Sequence, residues 1–157
     1  MTLYNASHHA IKSVSPRLSI GGPATAKLKD LAEFVAACEA WGIGNGPDFV
    51  STHYYPSDAC IQTNSSDLDC FANNIIAARQ QVPNEKFLIT EFNCGLGQPC
   101  AGVPYAAAFL LRTVNALRMH DITAISWWTF SAIFEERHLP MQVRLTLSEQ
   151  NGSENVG

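Results

Sequence analysis

Long apolar runs, clustered basic residues and nucleotide-binding glycine motifs are all missing from this 157-residue chain, and each absence removes a class of function. No run reaches the roughly 18 apolar residues of a bilayer-spanning helix, so no membrane span is predicted. Lys and Arg number 10 against 14 Asp and Glu, for a net charge of −4. Non-specific nucleic-acid binding, which needs concentrated positive charge, is therefore not expected. No GxGxxG or GxxxxGK[ST] run follows a strand pattern, which removes the best signature of a nucleotide site. No CxxC pair occurs, so a structural zinc site has no support. The opening stretch MTLYNASHHAIKS lacks a charged segment followed by an apolar one, and no signal peptide reads there. What remains is a hydrophobic fraction of 46% with 15% charge, the balance of a folded domain. At this length one core is expected, belonging to one domain or to part of a larger one.

The cysteines are five: Cys38, Cys60, Cys70, Cys94 and Cys100. Cys38 sits in a helical pattern among Ala and Val and reads as a buried free thiol. Cys60 with Cys70, and Cys94 with Cys100, are close enough in sequence to close short loops, an arrangement that fits a secretory or lysosome-like route. Sequons at Asn5, Asn64 and Asn151 agree with that route.

Apolar periodicity predicts alternating helices and strands. Helical spacing runs over 3–15 and stops at Pro16; RLSIGG (17–22) reads as a strand. A second helix over 27–41 places Leu28, Leu31, Phe34, Val35, Cys38 and Trp41 on one face. DFVSTHYY (48–55) is a second strand, closed by Pro56 and followed by a polar loop. Helix is expected again over about 67–81, strand over 86–92, helix from Pro104 to about Met119, and strand over 122–130. Strands joined through single helices pair in parallel. Strand starts recur at intervals of roughly 31 to 38 residues, close to the unit length of a (β/α)8 barrel. Two architectures fit: a doubly wound open sheet, or part of a (β/α)8 barrel. For the second, the chain holds about half, beginning inside a βα unit, with open sheet edges that favour self-association.

In parallel α/β folds the chemistry gathers where strands end. The candidates are His53 to Tyr55, Glu91 to Asn93, and Trp127 to Glu136. Glu91 closes the apolar strand Phe87-Leu88-Ile89-Thr90, a rigid mount for a nucleophile or general base. His53 and Tyr55 end the neighbouring strand, where they could orient it. Trp127 and Trp128 point to opposite faces, one into the core and one free to stack on a sugar ring. Glu135 and Glu136 are either a solvated pair or acceptors for sugar hydroxyls. Retaining glycoside hydrolysis needs two carboxyl groups about 5–5.5 Å apart. Glu91 has no equally well placed partner; Asp58 lies in the loop after the second strand.

The runs DFVSTHYYPSD, FLITEFN and SWWTFSAIFEERHLP, together with YNASHHAIKSVSPRLSIGGPA, resemble glycoside hydrolase family 39 from about residue 3 to 140, in family order. The family holds β-xylosidases and α-L-iduronidases on a clan A (β/α)8 barrel. The resemblance implies an α/β fold carrying strands five to eight of that barrel over residues 1–140, with a divergent tail over 141–157. It implies that Glu91 is the nucleophile, that His53 and Tyr55 contact the sugar or the nucleophile, that Trp128 lines the sugar site, and that Glu135 and Glu136 bind sugar hydroxyls. A carbohydrate substrate follows, with no metal or organic cofactor. The family's acid/base glutamate belongs to an Asn-Glu-Pro motif that this chain does not contain, and Ala132 stands where the family usually has an aspartate. The expected activity is exo-acting retaining hydrolysis, with this chain inactive alone; the alternative is a non-catalytic carbohydrate-binding or self-associating half-barrel.

Overall fold

The computed structural model describes residues 2–44, 46–59, 68–95 and 103–128. The order is α1 (Thr2–Val14), β1 (Gly21–Ala26), α2 (Leu31–Ala40), β2 (Phe49–His53), α3 (Pro56–Ala59), α4 (Leu68–Gln80), β3 (Phe87–Phe92), α5 (Val103–Leu117) and β4 (Ala124–Trp127). The helix–strand alternation expected from periodicity is present, with three local differences. The first strand begins at Gly21 rather than at residue 17. The backbone there runs within reach of β2, and a Cβ on Gly21 would fall 2.2 Å from the Phe49 carbonyl oxygen. The apolar Leu18 and Ile20 thus precede the strand, and the small residues GGPATA form it. The second helix starts at Leu31 rather than 27, because Lys27, Leu28 and Asp30 adopt positive φ and Lys27 N still donates to His53 O. Pro56 opens the single turn α3 where a loop was expected, its fixed φ and missing N–H suiting the first helical position.

All four strands are parallel, in the order β1-β2-β3-β4. A doubly wound sheet reverses direction of growth at a switch point; this one never does. Right-handed crossovers in one direction put the connecting helices α2, α4 and α5 on the same face. The core confirms that arrangement: Val50, Tyr54, Phe87, Ile89 and Phe92 from the sheet pack with Leu31 of α2, Phe71 and Ile75 of α4, and Ala106 and Phe109 of α5. The opposite face carries Ser51, His53, Leu88 and Glu91, and corresponds to a barrel interior. Residues 106, 109, 113 and 117 supply the buried stripe of α5.

The ends of the strands away from this site are pinned by charge. Lys12 Nζ donates to Leu18 O at 2.7 Å and to Asp48 Oδ2 at 2.8 Å, and Ile20 N donates to the same carboxylate oxygen at 2.8 Å. The Lys12 hydrogen bond, aided by Ile20 N, holds the Asp48 carboxyl below its usual range against the opposing effect of burial. A depressed carboxyl contributes stability above its unfolded value and loses it as pH falls through the folded one. Arg79, 9% exposed, donates to Asp121 O, Asp121 Oδ2 and Val82 O, fixing the turn that leads into β4. Cys38 is a buried free thiol, as its helical setting predicted, and burial pushes its pKa up. Cys70 and Cys94 are each disulfide-bonded, while Cys60 and Cys100 lie outside the described residues.

Candidate active site

The ends of β2, β3 and β4 each carry an alternation of an anchored aromatic and a displayed side chain. Tyr54 is 2% exposed and stacks on Phe71, with centroids 5.2 Å apart and planes 7° off parallel. Phe92 is 1% exposed and lies 6.0 Å from Phe71. Trp127 meets Phe92 edge-on at 5.4 Å. These rings tie the strand ends to α4 and α5 from the helix side. Their chain neighbours His53, Tyr55, Glu91 and Trp128 therefore fall on the opposite face.

Glu91 reaches that face through a bulge. Phe87 and Ile89 point to the helices, so strict alternation would send residue 91 into the core as well. The pairing slips instead: Thr52 faces Ile89 but His53 faces Glu91, and Ile89 faces Ile125 while Phe92 faces Trp127. β3 thus carries one extra residue against both neighbours. Phe92 takes the core position and Glu91 is turned out of it. Re-aiming a side chain is a known use of β-bulges.

The carboxylate so presented is held at both oxygens. Tyr55 Oη donates to Oε1, and His53 Nδ1 lies 3.3 Å from Oε2. Glu91 is 23% and His53 32% exposed at the side chain, so the group is screened from bulk water yet open to a ligand. The backbone ties the same two strand ends, since Tyr54 N, between His53 and Tyr55, donates to Glu91 O at 3.0 Å. A hydroxyl donor just past β2 and an imidazole at its end thus flank the two carboxylate oxygens and restrict the plane of the group.

Trp128 is 48% exposed, while Trp127 packs against the core; the two tryptophans divide as their alternation predicts. Asn93, 1% exposed, donates from Nδ2 to Trp128 O at 2.8 Å and accepts from Gly95 N at Oδ1, 2.7 Å. Asn74 donates to Tyr54 Oη at 2.7 Å, supporting the aromatic between His53 and Tyr55. The structure thus brings together His53, Tyr55 and Glu91, and puts Trp128 at the end of the adjacent strand. Glu135 and Glu136 lie outside the described residues. Sequence reasoning assigned no role to the side chains of Asn93 and Asn74. A polar residue flanked by Phe92 and a cysteine at a strand end was the available signal for the first. The second sits on a helix face with no such mark. No group of three or more His, Cys, Asp or Glu suited to a metal ion occurs among the described residues.

The family model for glycosyl hydrolases family 39 matches residues 1–146. A β-xylosidase of Caldicellulosiruptor saccharolyticus is 32% identical over 144 residues, covering 85% of this chain and 29% of that protein. A β-xylosidase of Geobacillus stearothermophilus is 29% identical over 156 residues, covering 88% and 30%. The chain thus spans under a third of the length of these curated relatives. Among solved structures, a glucosidase from Croceicoccus marinus superimposes with a TM-score of 0.66 at 22% identity, over 96% of this chain and 32% of that one. A Bacteroides uniformis β-glucuronidase gives 0.55 at 16% identity, over 82% and 15%. These structural likenesses speak for the fold, that of a partial glycosidase barrel.

Proposed function

The chain belongs to glycosyl hydrolase family 39, a glycosidase family, and from that membership and the strand-end geometry we propose that it carries the nucleophile half of a retaining, exo-acting β-xyloside hydrolase. The observation that carries this reading is Glu91, turned onto the inner face by a bulge and held at both oxygens by Tyr55 and His53. In the reaction, one Glu91 oxygen attacks the anomeric carbon as the bond to the leaving oxygen breaks. A glycosyl ester forms on Glu91, and the leaving oxygen takes a proton from a second carboxylic acid. Water, deprotonated by that same group, then attacks the anomeric carbon and frees Glu91. The second acid lies outside this chain, as the absent Asn-Glu-Pro motif implies. Residues 1–140 form the catalytic segment and 141–157 a divergent tail. Alone, the chain binds sugar but does not turn over ordinary glycosides. Trp128 supplies the stacking surface, with Glu135 and Glu136 as acceptors for sugar hydroxyls. The names of the matched relatives favour a xyloside over an α-L-iduronide.

Calorimetric titration with D-xylose tests the sugar class, with the Trp128 indole resonance as a second readout in the parent. The expected result is saturable perturbation of that signal and at least about tenfold weaker binding in Trp128→Ala. Binding of iduronate with no response to xylose would move the assignment to the iduronidase type.

Self-association has an observation of its own. Among the described residues, the exposed large apolar side chains lie on α1 and α5 or just after them, apart from Trp128. Leu3 is 80%, Val14 83%, Leu111 70% and Met119 77% exposed. α1 precedes β1 and α5 precedes β4, so this surface gathers towards the two ends of the sheet, where edges also lack partners. A second copy closing both ends would make eight strands, the number of a full barrel. Sedimentation velocity is expected to show monomer–dimer exchange with rising concentration; a monomer at every concentration would remove this reading.

A further inference from the structure

We infer that Asn93 is a positioning residue: it sets the Trp128 ring in register with Glu91 and thereby the affinity of the site for a sugar ring. The inference rests on reading Trp128 as the stacking surface. Its ground is how the Trp128 backbone is held. Trp128 N donates to Phe92 O at 2.8 Å, a backbone bond between the ends of β3 and β4. The next bond is made by a side chain, Asn93 Nδ2 to Trp128 O at 2.8 Å. Phe92 at the end of β3 and Asn93 just after it thus grip both ends of Trp128, the residue that follows β4, and the ladder continues one step past β3. Trp127 needs no such device, because its ring is locked against Phe92 and the core. Trp128, 48% exposed, has far less packing to define it. An aromatic that must meet a sugar face gains affinity when its position is fixed before binding.

The other end of the amide makes the device rigid. Asn93 Oδ1 accepts from Gly95 N at 2.7 Å, within a turn where Gly95 has φ +101° and Cys94 is disulfide-bonded. With both ends engaged and the side chain 1% exposed, the amide has no freedom to flip or to trade its partners for water. Asn93 lies two residues from Glu91, immediately after the end of β3. One short rigid segment therefore carries the nucleophile candidate and the clamp on the aromatic.

Substitution separates the two arms. Asn93→Asp keeps the size and the acceptor for Gly95 N, but a carboxylate cannot donate to Trp128 O. Asn93→Gln keeps both groups and displaces them by one methylene. In the full chain, with D-xylose as probe, Asn93→Asp at neutral pH is expected to shift the Trp128 indole resonance and weaken xylose binding about tenfold, while Gly95 amide protection persists. Acidifying that variant until the new carboxyl protonates restores a donor. Its affinity should then recover towards that of the parent at the same pH, a response that loss of packing alone would not give. Asn93→Gln, should Asn93→Asp fail to fold, is expected to weaken xylose binding with Gly95 amide protection retained. Parent-like xylose affinity in the folded variant, or a loss that acid leaves unchanged, would overturn the inference. If Trp128→Ala binds xylose as the parent does, the stacking reading has failed. Asn93 is then judged by the indole shift alone: a shift in Asn93→Asp upholds the clamp, and an unmoved resonance refutes it.

Discussion

A xyloside with a dinitrophenolate leaving group is expected to give a burst of about one equivalent of phenolate per chain and then almost nothing, and Glu91→Gln should abolish the burst. The two halves of the double displacement make different demands on the protein. Dinitrophenolate departs without a proton, so the missing acid is not needed for the first step, and Glu91, oriented by Tyr55 and His53, suffices. The second step needs water activated by a general base, which supplies about 10²–10⁴-fold. Without that base the glycosyl ester persists and turnover stalls. The amide of Gln is no nucleophile, so the first step should fall by at least about 10³-fold. An alkyl xyloside, whose leaving group must be protonated, should show no burst even in the parent. Stopped-flow absorbance of the phenolate reads all three cases.

The second large effect is on stability. Phe71→Ala is expected to cost about 3–5 kcal/mol, because it removes a fully buried ring and leaves a cavity that its neighbours cannot fill. Phe71 lies against Tyr54, Phe92 and Phe109 at centroid distances of 5.2, 6.0 and 5.4 Å. Among the described residues it is the ring that lies against the anchors of both β2 and β3. A single domain commonly has about 5–15 kcal/mol to lose, so thermal unfolding should fall by about 10 °C or more. The loss should also reach the site, since Tyr54 and Phe92 hold the backbone that presents His53, Tyr55 and Glu91. Leu111→Ala, at a position 70% exposed, is the contrast and should stay within about 0.5 kcal/mol. A loss below about 1 kcal/mol in Phe71→Ala would contradict the view that these rings form one weight-carrying layer.

Much of this arrangement can be read from the chain because it is local. The helical faces of α2 and α4 are marked by Leu31, Phe34 and Cys38 and by Phe71 and Ile75, and those residues are buried. Glu91 stands out as a carboxylate closing an apolar strand. What escapes is either non-local or contrary to local pattern. β1 was displaced by four residues because Leu18 and Ile20 look like strand while the glycines that form it do not. Its glycines answer to Phe49, a residue of another element. The bulge is visible only in hindsight, in Phe87-x-Ile89-x-x-Phe92 where period two would require an apolar residue at 91. The Asn93 bond spans 35 positions and no spacing rule encodes it, whereas the contact of His53 with Glu91 is legible because both residues close neighbouring strands. Between the two architectures first considered, periodicity could not choose; strand order did, because it records which neighbours the crossovers join.

The central claim is that Glu91 forms the covalent bond to the sugar. The most direct test is to quench the dinitrophenyl xyloside reaction at the end of the burst, digest the chain and locate the added pentosyl group by mass spectrometry. The expected result is one pentosyl per chain on the Glu91 side chain, absent from Glu91→Gln. Phenolate release with no adduct, or an adduct on another residue that survives Glu91→Gln, would contradict it.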